Sequence, residues 1–315
     1  MMYTADKSRL MASAGGQKVL LAGGTGFLGS HLARRLTGLG SVVHVASRKR
    51  KADSDLPVSW CQADFTDYDQ TERVVKQVRP DILFCLATAG VGRPDLGLVL
   101  STFRSDLVTT LHLLTAAAEA GTPRVIVAAS LEEPVENSRM LPASPYAAAK
   151  WAGTMYAGLF HSLFRTPVTI VRPFMTYGPG QPEFKVIPYV ITSFLRGRQP
   201  KLSSGQRLVD WIYVDDVVEG MIAAAISPNT IGSTIDLGSG QLLTIRSVAE
   251  RIQTLMGIDI NPDFGAAADR PKEVVRAADL SVARDTIGWK PTTSLDNGLT
   301  ATIASFQPAA RYHNN

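Results

Sequence analysis

The sequence predicts an α/β protein: a doubly wound parallel sheet with a smaller C-terminal α/β lobe that binds substrate. From Lys18 onward, short β-branched runs alternate with longer amphipathic segments, the pattern of βαβ units. The first of these runs opens into glycines at 23, 26 and 29, at a strand-to-helix junction. After Arg172 the alternation gives way to Gly- and Pro-rich punctuation.

Strands are expected at KVLLAG (18 to 23), VVHVA (42 to 46), VSWCQA (58 to 63), DILFCLA (81 to 87), RVIVAAS (124 to 130) and PVTIVRP (167 to 173). Their near-continuous apolar character suits strands covered on both faces. The longest helices are expected at residues 98 to 120 and 145 to 165, where apolar residues recur at three- and four-residue spacing. The segment FMTYGPGQPEFKVIP breaks this pattern and marks excursions into the lobe. RLVDWIYV and STIDLG read as strands returning to the sheet. The expected organisation is a loose tail over 1 to 16 and a dinucleotide-binding domain over 17 to 173, its sheet completed by about 207 to 237. Residues 174 to 206 and 238 to 310 are expected to form the lobe.

The chain has 315 residues, 45% of them hydrophobic and 19% charged, enough for one large domain and an appendage. The net charge of +4 is spread along the chain, which fits an anionic small molecule at least as well as a nucleic acid. Basic stretches interleaved with aromatics, the mark of RNA binding, are absent from the sequence. Cys61 and Cys85 sit inside apolar runs, so both read as small core residues in a reducing compartment. No run reaches the roughly 18 apolar residues of a membrane span, and the start lacks the apolar run of a secretory signal. A cytosolic location without membrane contact is expected. His31, His44, His112 and His161 lack metal-ligand spacing, and no metal is expected.

In AGGTGFLGSHLARRL, Gly23 permits the tight turn, Gly26 lets backbone N–H groups approach a pyrophosphate, and Gly29 lets the helix pack closely on the strand. An acidic residue about 20 positions on normally binds the adenosine ribose, whereas an arginine there favours a 2′-phosphate. Here Arg48 stands 19 residues beyond Gly29, in the basic run Arg48, Lys49, Arg50, Lys51. Its guanidinium can grip a phosphate with two parallel hydrogen bonds, and Ser47 can add a third. Lys49, Arg50 and Lys51 read as a solvated loop. NADP(H) is therefore the expected cofactor, with NAD(H) as the alternative.

GGTGFLG, together with YAAAK at 146 to 150, resembles the extended short-chain dehydrogenase/reductase family, the NAD(P)-dependent nucleotide-sugar epimerases and dehydratases. The likeness runs from about Lys18 to about residue 300, through VRPFMTYGPG, VDWIYVDDVV and DRPKEVVRAADLSVARDTIGWKP. The resemblance implies a Rossmann fold in which Gly23, Thr25, Gly26, Phe27, Leu28 and Gly29 hold the pyrophosphate. It places Asp64 and Phe65 near adenine, Leu86 and Ala87 beside the pyrophosphate and ribose, and Pro173 in the cofactor site. CLATAG departs from the family's HxAA or LAA there, around Thr88 and Ala89.

Tyr146 and Lys150, four apart on a helix, share one face. A phenol of pKa about 10 needs roughly 4 kcal/mol of phenolate stabilisation to work as an acid–base group near neutrality. Lys150 and an oxidised nicotinamide can supply that charge, and in the family the lysine also binds the nicotinamide ribose. Ser130, ending the fifth strand, resembles the residue that polarises the substrate carbonyl. Family dehydratases carry an acid pair or a lone Glu just after this residue. Ser130-Leu131-Glu132-Glu133 matches the lone-Glu form at Glu132, while Pro134-Val135 replaces the aromatic-Gly element that follows.

For the substrate diphosphate the resemblance implies Arg270 in DRPKE, with Arg207 in place of the arginine that Val209 displaces, and Lys185 as a further charge. Met175 and Thr176 stand where the family has Asn. Asp215 and Asp216 read as helix caps. The expected function is reduction of a 4-keto group on a nucleoside diphosphate sugar, followed in rank by 4-epimerisation and 4,6-dehydration. A non-catalytic NADP-binding or RNA-binding relative is the reading from another class, opposed by the intact Tyr146 and Lys150. The family also implies a homodimer through the two long helices. The Arg48 assignment predicts that Arg48→Asp weakens NADPH binding about 10- to 100-fold while sparing NADH, read by fluorescence titration of both cofactors.

Overall fold

The computed structural model describes residues 13–48, 57–88, 91–135, 140–270 and 274–307. Lys49, Arg50, Lys51, Ala89 and residues 1–12 of the expected tail lie outside them. Packing begins earlier than a tail over 1 to 16 implies. Ala14 is fully buried and its carbonyl accepts the Ser41 hydroxyl at 2.8 Å.

In chain order the first half comprises β1 (Lys18–Ala22), α1 (Phe27–Gly38), β2 (Val42–Ser47), β3 (Ser59–Gln62), α2 (Tyr68–Val78) and β4 (Ile82–Cys85). Next comes a composite helix, α3, built from α-helix Val99–Thr102, a π-helical turn Phe103–Val108 and α-helix Thr109–Glu119. β5 (Arg124–Ala128), α4 (Pro145–Phe164) and β6 (Val168–Pro173) follow. Beyond Phe174 lie β7 (Met175–Tyr177), α5 (Val186–Leu195), β8 (Lys201–Leu202), β9 (Leu208–Tyr213), α6 (Val214–Ile226), β10 (Thr234–Leu237) and β11 (Leu242–Thr244). The last elements are α7 (Ile245–Met256), β12 (Asp263–Phe264), α8 (Ser281–Ile287) and α9 (Leu295–Phe306).

The main sheet has seven strands in the order β10-β6-β5-β4-β1-β2-β3, and every pairing is parallel. The winding reverses between β1 and β4, which makes the crevice above their C-terminal ends the ligand-binding position of such a sheet. Apolar side chains fill both faces. Leu21, Val45, Phe84 and Ile126 pack on one side with Leu32, Met221 and Trp289. Leu20, Leu83 and Val125 pack on the other with Val75, Leu114 and Phe160. α3 and α4 are therefore on the face opposite α1 and α6. Among the described residues, no helix is long and apolar enough to cross a membrane.

STIDLG joins the main sheet as β10, beside β6. RLVDWIYV does not: β9 pairs with β7 in parallel and with β11 antiparallel in a separate three-stranded sheet. The physical reason is its position between two cores. Val209 and Trp211 belong to the lobe's apolar cluster with Ile191 and Ile252, whereas Ile212 and Val214 belong to that of the main sheet. A strand buried on both faces reads as a continuous apolar run whichever sheet it joins. The segment after 240 also divides, because Ala283, Ile287 and Trp289 return to the main core.

Asp210, 1% exposed, accepts the Ser239 amide and hydroxyl, each at 2.7 Å, and the amides of Gly240 and Ala278, each at 2.9 Å. Asp216 accepts Thr292 Oγ1 at 2.7 Å and the amides of Thr292 and Thr293. Neither Asp215 nor Asp216 caps α6 through its side chain, since Asp215 reaches His31 at 3.2 Å instead. Asp210→Ala, which removes the buried acceptor of four hydrogen bonds, is expected to destabilise the protein by about 3 kcal/mol, with Asp210→Asn losing less. A urea titration followed by circular dichroism measures both.

Candidate active site

Each glycine of the β1–α1 turn meets a different constraint. Gly23 has φ +93°, and a Cβ there would sit 2.6 Å from the Ala87 nitrogen, because the ends of β1 and β4 abut at the switch point. A Cβ on Gly29 would collide with the Gly23 carbonyl and lie 2.7 Å from the Gly24 Cα. At Gly26 the nearest atom would be the Gly23 oxygen, at an ordinary 3.4 Å. Thr25, Phe27 and Leu28 complete the turn, with Phe27 and Leu28 opening α1 and packing at the margin of the main core. α1 starts at Gly26 with no side-chain cap and no acidic residue in its first turn. Its leading amides are thus the unsatisfied, partially positive donors that suit a pyrophosphate, and the turn fits a dinucleotide.

Ser47 ends β2 half-buried, and Arg48 follows at an exposed bend, its carbonyl accepting Gln62 Nε2 at 3.3 Å. Asp64 holds a local turn, its Oδ1 accepting the Thr66 amide and hydroxyl at 3.0 and 2.8 Å. The Phe65 ring packs into the core with Val74 and Val75, so its backbone rather than its ring remains at the β3 edge. Leu86 is buried beyond β4, its amide bonded to the Ala22 carbonyl at 2.9 Å. Ala87 is half-buried beside Gly23, and Pro173 is half-buried at the end of β6.

The next strand edge brings together Ser130, Tyr146 and Lys150. Ser144 caps α4 by accepting the Ala147 amide at 3.1 Å, which sets Tyr146 in the first turn and Lys150 one turn on. The Ser130 hydroxyl hydrogen-bonds Tyr146. Burial pushes the Tyr146 phenol well above its ordinary range, aided by the charges of Glu132, Asp106 and Glu133 and opposed by Ser130. Lys150 donates from Nζ to the Ala128 carbonyl. Burial pulls its ammonium down, while Glu133, Asp106 and Cys85 pull it back up. Cys85 itself is pushed up to about 12 by burial.

A charged group borders this trio. Glu132 donates its amide to Ser130 Oγ at 3.1 Å, and its carboxylate lies against the Cα of Gly92, a position that has room because residue 92 has no side chain. Arg270 bonds the Gly92 carbonyl at 3.0 Å, and it lines a small pocket with Glu132, Ser144 and Val274. Lys185, just ahead of α5, is lowered by burial and by Arg270 and raised by Glu132, so the three charges share one electrostatic neighbourhood. Arg207 lies at the foot of β9, where its carbonyl accepts the Ile245 amide at 3.1 Å.

Two buried acids beside the trio escape a reading of the sequence. Glu133 looks no different from its neighbour Glu132, and nothing in the sequence separates them. Asp106 offers a faint signal as an acid within the apolar-periodic stretch of α3. It sits in the π-helical turn and accepts Thr88 Oγ1 at 3.0 Å and Ser105 Oγ at 2.9 Å. π-turns of this kind are frequent at functional sites.

The switch-point glycine turn and the polar trio on the adjoining strand edge place the protein among the doubly wound, dinucleotide-binding α/β enzymes. Within that class, the model of the NAD dependent epimerase/dehydratase family matches residues 19–238, and the chain belongs to that family. It is 27% identical to UDP-glucose 4-epimerase from Mycolicibacterium smegmatis, over 92% of this chain and 98% of that one. It is 30% identical to dTDP-glucose 4,6-dehydratase from the same organism, over 91% and 92%. Among solved structures, the Bordetella bronchiseptica enzyme WbmF in complex with NADH superimposes with a TM-score of 0.79 at 26% identity, covering 93% of each chain.

The contrast among the glycines gives a test. Gly29→Ala is expected to destabilise the fold by about 1–3 kcal/mol through overpacking. Gly26→Ala is expected to unfold within a few degrees of wild type yet bind dinucleotide at least about tenfold more weakly, since its methyl would stand where the leading amides meet the phosphates. Thermal melts and cofactor titrations on both variants separate the two effects.

Proposed function

We propose that this enzyme reduces the 4-keto group of a nucleoside diphosphate sugar, using NADPH. The observation that carries this reading is the grouping of Tyr146 with Ser130 and Lys150 at one strand edge, with the phenol raised above its ordinary range by desolvation and by Glu132, Asp106 and Glu133. A net reductase needs a proton donor there. The chemistry a bound reduced nicotinamide supplies is a hydride to the carbonyl carbon. Tyr146 gives its proton to the carbonyl oxygen, Ser130 donates a hydrogen bond to the same oxygen, and Lys150 keeps a cation beside the phenolate that remains. Ketone, hydride and proton balance to a secondary alcohol.

Arg48 at the end of β2 supports NADPH, since a guanidinium there favours a 2′-phosphate. Lys185 and Arg270 support a diphosphate at the substrate end, with Arg207 as a third candidate. A homodimer is supported by the exposed apolar residues of the two long helices: Val99, Leu100 and Phe103 on α3, and Trp151, Met155 and Leu163 on α4.

The second reading is dehydration or epimerisation, the activities named for the two mycobacterial relatives. Glu132 favours dehydration, because its carboxylate accepts the Ser144 hydroxyl at 3.5 Å at the start of the Tyr146 helix and could remove or deliver a proton next to the carbonyl. The deciding experiment incubates the protein with NADPH and a panel of nucleotide-linked 4-keto-6-deoxy sugars, following absorbance and assigning products by NMR. Oxidation of NADPH is expected, with activity level through neutral pH and declining only in the alkaline range as the Tyr146 proton is lost. Tyr146→Phe is expected to lower kcat by about 10²- to 10⁴-fold, and Glu132→Gln to leave reduction intact. Conversion of an unmodified nucleotide sugar without added cofactor, combined with no NADPH oxidation, would overturn the reductase assignment.

A further inference from the structure

Glu133 is 1% exposed, lies beside a trio of candidate catalytic groups, and is not among the residues lining the pocket that Glu132 borders. Its carboxylate instead gathers three structural elements. Oε1 accepts the Ser130 amide at 2.8 Å and Thr154 Oγ1, from α4, at 3.0 Å. Oε2 stands 3.8 Å from the Arg172 guanidinium on β6, which in turn holds Asp236 on β10 at 2.7 Å. Thr154 lies one helical turn beyond Lys150 and two beyond Tyr146, so it rides on the same rigid helix as both.

We infer that Glu133 is a positioning residue that aims Ser130 at Tyr146. Its carboxylate joins the backbone of the Ser130 turn to the helix that carries Tyr146 and Lys150. Arg172 fixes that carboxylate against the sheet, so the relative placement of serine and phenol is set by a buried ionic clamp and not by the turn alone. A charged acceptor suits the task, because charge-assisted hydrogen bonds are shorter and more directional than neutral ones. Glu132, one residue earlier, faces the pocket, whereas Glu133 faces the interior. Adjacent acids thereby serve opposite sides of one turn.

The inference rests on the proposed role of the Ser130–Tyr146 pair, and a double-mutant cycle tests it. Glu133→Ala is expected to lower kcat about 100-fold with KM nearly unchanged, comparable to the loss of a carbonyl-polarising donor. In a Ser130→Ala background the same substitution is expected to add almost nothing, since residues acting as a unit are non-additive. Glu133→Gln, which keeps an acceptor oxygen for the Ser130 amide, is expected to recover kcat to within about tenfold of wild type. Additive losses in the cycle, or a rise in KM at constant kcat, would overturn the inference. If Glu133→Ala does not fold, the cycle is run with Glu133→Gln, whose smaller loss must likewise vanish in the Ser130→Ala background.

The cycle uses whichever conversion from the nucleotide-sugar panel wild type performs. Absence of ketone reduction then counts against the reductase reading alone. A readout free of turnover is the ring-carbon resonance of Tyr146 in 13C-tyrosine-labelled protein, assigned by Tyr146→Phe. Glu133→Ala and Ser130→Ala are expected to displace it alike, and a resonance left at its wild-type position by Glu133→Ala would refute the clamp.

Discussion

A buried carboxylate on β9 holds the two halves of the molecule in register. Asp210 stands in a strand that is wall to both apolar cores, and four converging donors take the place of water around its charge. These donors come from the turn after β10 and from the segment that precedes α8. That second segment descends from Arg270 and Val274, which border the pocket beside Glu132. Val274 and Ala278 thus tie the border of that pocket to the same bond network. Such a network acts at long range because each bond fixes a backbone, and the backbone then carries its side chains with it.

The site is dominated by burial rather than by any one charge. Burial drives Tyr146 and Lys150 toward their neutral forms, and Asp106 and Glu133 act on both, adding to that effect at the phenol and opposing it at the ammonium. Those acids disfavour a phenolate but favour an ammonium. The arrangement raises the phenol and, on balance, lowers the ammonium. It also makes the pair sensitive to any cation brought close to it, since in a low-dielectric site one added charge weighs more than it would in water.

Much of this was legible in the sequence, and the parts that were not share a cause. β1, β2, β5 and β6 lie within two residues of their apolar runs, since burial on both faces leaves a continuous signature. That same signature misassigned β9, because a run of apolar residues reports burial and says nothing about which strand lies alongside. The glycine turn was readable because Gly23 and Gly29 answer local steric demands and Gly26 stands where α1 begins. Phe65 was harder: its ring fills the core, and a strand end looks the same whether its side chain faces ligand or interior. Glu132 and Glu133 show the limit most clearly. Two identical side chains meet different surroundings through the direction of their Cα–Cβ bonds, which is a property of the folded turn alone.

The π-helical turn within α3 has a consequence for how that helix meets the rest of the molecule. Thr102, Asp106 and Thr110 are all buried and recur every four residues. At ordinary helical pitch, eight residues would carry the last of them about 80° past the first. The wider turn offsets part of that drift, which brings the three buried polar residues closer to one face, with Thr110 packed where Gly153 lets α4 come near. A local change of screw pitch thus does what a change of sequence elsewhere would otherwise have to do. It lets one helix present a polar rail to its neighbour without turning its apolar residues away from the sheet.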